Sequence, residues 1–355
     1  MNELWSDGLR GLEPYTPGEQ PSTPQLVKLN TNENPYPPSP AATSAVKRAA
    51  NADLRLYPDP EGRALKQTIA GMHGLTEGHV FLGNGSDEVL AHTFLGLLKH
   101  ERPILFPDVT YSFYPVYCGL YGITFDTVPL DDDFQIKVAD YVRPNGGIVL
   151  SNPNAPTGSA VSRGELRSLL EQCQGSVVVV DEAYVDFGAE TVAPLVEAFQ
   201  NLLVVQTLSK SRSLAGLRVG FAIGHPSLVG ALNVVKGCFN SYPLDRLALA
   251  GAEAALRDTE YFETTRQRIM QSRAWLSREL TSLGFLVLPS QANFLFARHP
   301  SRDGRELQQT LREHGVLVRH FQKPRIAQFL RITIGTPEEC QTLVDVLRKV
   351  LAGKT

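Results

Sequence analysis

No C-x-x-C pair occurs in the sequence: its four cysteines, Cys118, Cys173, Cys238 and Cys340, are scattered over 355 residues. That spacing excludes a disulfide framework and a cysteine-ligated structural zinc, and it fits a reducing compartment. No apolar run approaches the ~20 residues of a membrane-spanning helix. The stretch from Met1 to Asp7 lacks the basic and apolar regions of a secretion signal. A soluble, cytoplasmic protein is expected. Charge of one sign is missing too. Lysine and arginine total 34 against 37 acidic residues, a formal net charge of -3, so neither nucleic acid nor an anionic membrane is an expected partner. The Walker A, H-E-x-x-H and G-x-S-x-G motifs are absent. P-loop phosphoryl transfer, zinc hydrolysis and the hydrolase elbow lose their support, and no metal site is expected.

What the chain does have is apolar content, 43% against 20% charged, and length enough for two domains at ~150 residues each. Eight of its 24 prolines fall between residues 14 and 40, so this segment is an extended arm, interrupted by a short strand at 26–30. Helices are expected at 41–50 and 62–72. From residue 79 strands and helices alternate, with strands at 80–82, 102–106, 122–128, 148–151, 177–180, 202–207 and 219–223. Most are short and continuously apolar, the pattern of a sheet covered on both faces. After about residue 241 the pattern changes to a long helical stretch at 245–283. Strands follow at 285–288, 294–297, 315–318 and 330–334, with helices at 304–314 and 337–351. The expected fold is α/β: a large, mostly parallel sheet domain (45–245), a smaller α+β domain (246–355), and an N-terminal arm (1–44) packing with the latter.

Ligands of open α/β sheets bind beyond the carboxyl ends of the strands, and several polar residues fall there. Lys210 lies between two apolar strands, where a partly desolvated amine becomes a nucleophile; alone, it reads first as a solvated surface charge, as most lysines are. Asp181 ends a run of four valines, 177–180, and an acid there binds a cation or starts a turn. Gly83-Asn84-Gly85-Ser86 opens a helix, an anion site through free amides or a plain helix cap. A dinucleotide fingerprint fails at Glu88, where the third glycine would stand. Asn152 to Gly158 is a loop directly after a strand.

Taken in order, Gly-Asn-Gly-Ser-Asp-Glu (83–88), Asn-Pro-Asn-Ala-Pro-Thr-Gly (152–158), Asp-Glu-Ala-Tyr (181–184), Ser-Lys (209–210), Ala-Gly-Leu-Arg (215–218) and Leu-Arg-Ile-Thr-Ile-Gly (330–335) resemble the fold-type I pyridoxal-phosphate aminotransferases. Asn-Thr-Asn-Glu-Asn-Pro (30–35) and Leu-Tyr-Pro-Asp (56–59) look most like their histidinol-phosphate subgroup. The resemblance implies that Lys210 bonds covalently to pyridoxal 5′-phosphate and serves as the acid–base group. It implies that Asp181 pairs with the protonated pyridine nitrogen, Tyr184 with the ring hydroxyl, and that Tyr111 stacks on the ring. The cofactor phosphate would be held by the amides of Ser86 and Asp87, the Ser209 hydroxyl and Arg218, with the Asp87 carboxylate turned out. Tyr57 would reach the phosphate in a neighbouring subunit, implying a homodimer with shared sites.

Ala155 departs from the pattern, since the family usually has asparagine there at the ring hydroxyl. Asn154 would swing in, or Tyr184 would bear the contact alone. Arg331 and Arg319 would bind substrate oxyanions, with Tyr15, Asn32 and Tyr242 as further substrate contacts. The implied reaction moves an amino group from histidinol phosphate to 2-oxoglutarate. Aromatic transamination and threonine-phosphate decarboxylation remain open within the subgroup, and a non-catalytic regulatory protein of the same fold outside it.

Overall fold

Strands buried on both faces have no use for polar side chains, and the valine- and leucine-rich runs of this chain form the interior of one sheet. The structure, a computed structural model, describes residues 4–9, 11–20 and 26–353. Parts of the expected arm, residues 1–3, 10 and 21–25, therefore lie outside the described residues. In chain order the elements begin with β1 (Val27–Leu29), α1 (Pro40–Ala49), α2 (Arg63–Met72), β2 (Val80–Asn84), α3 (Gly85–Leu97), β3 (Ile104–Pro107), α4 (Tyr114–Tyr121) and β4 (Phe125–Val128). There follow β5 (Ile148–Ser151), α5 (Arg163–Gln172), β6 (Val178–Asp181), β7 (Leu202–Thr207), β8 (Val219–Gly224), α6 (Pro226–Phe239), α7 (Arg246–Arg257) and α8 (Thr259–Ser282). The chain closes with β9 (Leu286–Val287), β10 (Phe294–Arg298), α9 (Gly304–Glu313), β11 (Val316–His320), β12 (Leu330–Thr333) and α10 (Pro337–Leu351).

Among the described residues, seven strands form a sheet in the order β2-β8-β7-β6-β5-β3-β4. All pairs are parallel except those of β8, which runs antiparallel to both β2 and β7. This is the mostly parallel α/β sheet expected. Its central residues, Val178 to Val180 and Leu202 to Val205, are fully buried. A second sheet has the order β1-β11-β12-β10-β9. There β1 adds to the edge in parallel with β11, Val27 opposite Val316 and Leu29 opposite Val318, which delivers residues 30–34 to the space between the sheets. Leu276 and Leu280 of α8, Leu307 of α9 and Leu343 and Leu347 of α10 cover this sheet in one apolar cluster. No helix among the described residues is long and apolar enough to cross a membrane.

The single helical stretch expected at 245–283 is two helices. Asp258 ends α7 and caps α8, its carboxylate accepting from the Tyr261 amide; a short acid competes with helix continuation and favours such a cap. Ala248, Ala252, Ala255 and Leu256 of α7 are buried in the same cluster as the strands of the seven-stranded sheet.

The start of α3 is the tightest junction. Strand and helix meet with no intervening loop, and Gly85 takes φ +78°, a conformation that costs other residues ~1 kcal/mol or more. The helix start lies directly on Gly220 of β8, where a Cβ would come within 2.3 Å of the Ser86 nitrogen. Since backbone cannot yield as a side chain does, Gly220→Ala is expected to lower stability by about 3 kcal/mol, read as a fall in the urea midpoint. An unchanged midpoint would show the junction to be loose.

Candidate active site

The carboxyl ends of β5, β6 and β7, the first turn of α3, and strands β11 and β12 of the second sheet enclose a cavity of about 260 Å³. Twelve of the expected residues line it: Tyr15, Asn32, Ser86, Asp87, Tyr111, Asp181, Tyr184, Ser209, Lys210, Arg218, Arg319 and Arg331. Ala155 lines it as well.

Asp181 is the last residue of β6 and only 4% exposed. Its Oδ2 accepts from the Tyr114 hydroxyl at 2.9 Å and its Oδ1 from the Ala183 amide at 3.2 Å. Burial raises its pKa to about 6, against those hydrogen bonds and the charge of Lys210. Lys210 extends from the turn after β7 toward the Thr31 carbonyl, Nζ to oxygen 3.4 Å, and stands over the Tyr184 ring. Its backbone is fixed from the arm: Asn34 Nδ2 donates to the carbonyls of Lys210 and Ser211 at 3.0 and 3.2 Å. Behind it the Ser211 hydroxyl donates to Asp186.

At the start of α3 the amides of Ser86 and Asp87 have no partner within the helix, as in any first turn. Arg218, itself at φ +54°, lays its guanidinium over this turn, where a Cβ at Gly85 would sit 2.4 Å from Nη2. The expectation that the Asp87 carboxylate turns out is corrected here. It accepts from Arg218 Nη2 at 2.8 Å and from the Tyr111 hydroxyl at 3.1 Å, because a cation and a phenol are both within reach. Burial and the Asp87 charge hold the Tyr111 phenol well above its usual pKa.

Opposite these groups, Arg319 of β11 and Arg331 of β12 are direct cross-strand partners. Like charges in that relation are destabilising. Arg319 donates to the carbonyls of Thr16 and Pro17, and Arg331 to that of Asn30 at 3.0 Å. Arg331 lies between the rings of Phe294 and Phe321, its buried Nε without a partner among the described residues. Burial, and secondarily the charge of Arg319, lowers its pKa. An anion in the cavity would offset both penalties.

Three expected residues are elsewhere. Asn154 is fully buried and spent on the segment after β3 and on its own loop: its Oδ1 accepts from Thr110, and its Nδ2 donates to the Val109 carbonyl and to Thr157. It does not swing into the place of the missing asparagine. Tyr57 and Tyr242 stack on each other at 4.6 Å, 79% and 40% exposed, outside the cavity. Conversely, Tyr114 was missed although it holds Asp181; its place in the aromatic run 111–117 was the available signal. Thr31, whose carbonyl meets Lys210, stands inside the 30–35 motif but was given no role there.

The sequence matches the family Aminotransferase class I and II over residues 24–347. The chain belongs to that family, whose members are pyridoxal-phosphate-dependent transaminases. Within it the chain is 61% identical to histidinol-phosphate aminotransferase 1 of Methylococcus capsulatus, covering 100% of this chain and 99% of that one. It is 60% identical to the histidinol-phosphate aminotransferase 1 of Pseudomonas aeruginosa, covering 98% and 99%. The solved structure of histidinol-phosphate aminotransferase from Sinorhizobium meliloti in complex with pyridoxal-5′-phosphate matches with TM-score 0.84 and 25% identity, over 92% of this chain and 91% of that one. The residues present suit such a group: a lysine amine, a carboxylate beneath it, and free helix amides beside an arginine that only glycine at 85 lets approach.

Directly after Asp181, Glu182 is buried and accepts from Thr191, the Val192 amide and Gln206. Burial nonetheless raises its pKa from 4.5 to about 7. Because the native value lies above the unfolded one, the stability this group contributes is fully present below about pH 4.5 and lost as pH rises through about 7. Relative to the native sequence, Glu182→Gln is therefore expected to gain about 3 kcal/mol between about pH 5 and about pH 8. Thermal midpoints of both proteins across that range check it; a difference independent of pH would show that Glu182 ionises normally.

Proposed function

We infer that this chain transfers the amino group of L-histidinol phosphate to 2-oxoglutarate, giving imidazole-acetol phosphate and glutamate, as a step of histidine biosynthesis. The observation that carries this is the opposed pair Arg319 and Arg331 facing Lys210 across one cavity. Two guanidinium groups suit a phosphate monoester and, in the return half-reaction, a dicarboxylate. The names of the relatives support the same donor. When bound, pyridoxal phosphate supplies an aldehyde that takes up the amino group and a ring that accepts the electrons of the broken C–H bond.

The protein's own part follows from its geometry. The amides of Ser86 and Asp87, the Ser209 hydroxyl and Arg218 would hold the phosphate end. The Asp181 carboxylate keeps a proton on the ring nitrogen, and that positive partner offsets the burial that raises its pKa. Tyr111, whose ring stands edge-on to Tyr114 at 5.6 Å, would pack against the cofactor ring. Lys210 Nζ removes the proton from the amine-bearing carbon of the donor and returns it on the other side of the transfer. Arg319, Arg331 and Tyr15 fix the far end of the donor, so that carbon stays within reach of Nζ.

The exposed Tyr57–Tyr242 stack, with Phe239 75% and Leu54 55% exposed nearby in sequence, supports a homodimer in which Tyr57 enters the neighbour's site. All four cysteines are free, which supports a reducing, cytoplasmic setting.

Lys210→Ala is expected to abolish the visible absorbance of the cofactor-loaded protein and to lower turnover by roughly 10³-fold or more. Single-turnover assays with histidinol phosphate, phenylalanine and threonine phosphate check the donor. Conversion by phenylalanine but not by histidinol phosphate would refute the proposed donor. Mixing Lys210→Ala subunits with Tyr57→Ala subunits should recover activity that neither has alone, because one site of the hybrid is intact; no recovery would refute shared sites.

A further inference from the structure

Asn32 lines the cavity, which fits a substrate contact. Its surroundings say something else. It is 1% exposed and sits at φ +57°, the left-handed region. The surrounding structure holds it there through every polar group it has. Its amide donates to Thr333 Oγ1 at 2.9 Å, and its carbonyl accepts from Asn293 Nδ2 at 2.9 Å. Thr333 donates its one hydroxyl hydrogen to Asn32 Oδ1 at 3.0 Å. With Oδ1 turned to Thr333, Nδ2 faces Tyr184 and donates to its hydroxyl oxygen at 2.9 Å.

A phenol oxygen that accepts one hydrogen bond keeps one hydrogen to give, and among the described residues none accepts it. The Tyr184 ring is held edge-on against Phe294 at 5.1 Å, so the direction of that hydrogen is the remaining freedom. On the same cavity wall Ala155 offers no donor, Asn154 is spent elsewhere, and the Tyr111 hydroxyl is given to Asp87.

We propose that Asn32 is a positioning residue whose carboxamide, locked by Thr333, directs the Tyr184 hydroxyl hydrogen into the cavity, where it is the donor to the ring oxygen of bound pyridoxal phosphate. This rests on the cofactor reading above. A single donor does the work that the family usually divides between a tyrosine and an asparagine, and its aim depends on a residue in the N-terminal arm.

The test uses the cofactor-loaded protein without substrate, following its visible absorbance against pH. A donor at the ring oxygen stabilises negative charge there, so losing it raises the midpoint. Asn32→Gly removes the carboxamide and tolerates the positive φ. Asn32→Asp places an acceptor where the donor was and draws the Tyr184 hydrogen away from the cavity. Both are expected to raise the midpoint by about one pH unit, toward that of Tyr184→Phe, and the uncharged Asn32→Gly should not shift it further in a Tyr184→Phe background. Unchanged midpoints with a raised KM for the donor would overturn the proposal and make Asn32 a substrate contact. An Asn32→Gly shift that persists in the Tyr184→Phe background would overturn it also, since Asn32 would then act by another route. A native protein with no visible cofactor band would overturn the cofactor reading itself, and this inference with it.

Discussion

A carboxylate at the end of a fully buried strand is costly to place, and the active site is built around keeping it there. Removing Asp181 from water penalises its charge by several kcal/mol. Tyr114 and the Ala183 amide return part of that, yet a pKa near 6 shows the compensation to be incomplete. The charge of Lys210 offsets a further part, and a protonated ring nitrogen would supply another positive partner. The arrangement of neighbouring elements follows. Helix α4 has to bring Tyr114 to the end of β6, and the turn after β7 has to bring Lys210 to the same side.

A second, opposite strain balances the first. Arg319 and Arg331 face each other across two strands, and neither has a carboxylate partner among the described residues; their donors go to backbone carbonyls instead. The cavity thus holds a penalised negative charge at its floor and a penalised positive pair at its rim. A ligand with a cationic ring at one end and oxyanions at the other relieves both. This is a stronger statement about substrate class than either group makes alone.

Much of this was legible in the sequence, for identifiable reasons. Asp181, Lys210 and Arg218 stand at strand ends flanked by continuous apolar runs, so their placement follows from the sheet. The two helices around Asp258 read as one because a single capping acid is a weak signal inside a strongly helical stretch. The Asp87 carboxylate and Asn154 defeated the reading for another reason. Both are short polar side chains with several partners in reach, and which partner wins depends on three-dimensional proximity that no spacing encodes. Tyr57 and Tyr242 are legible as a pair only where their surface is seen. Asn32 has the same difficulty in sharper form: its bonds run to Tyr184, Asn293 and Thr333, all distant in sequence.

That distance bears on how the protein is made. Asn32 and Thr333 are 301 residues apart, whereas every strand of the seven-stranded sheet has been synthesised by Gly224. At usual elongation rates a ribosome needs roughly 5 to 20 s more to reach Thr333. During that interval the nascent chain can hold a complete large sheet, with Lys210 and Asp181 in place, and still lack the strand that orients the arm over them. The arm is therefore anchored over the site only once β12 has joined the second sheet.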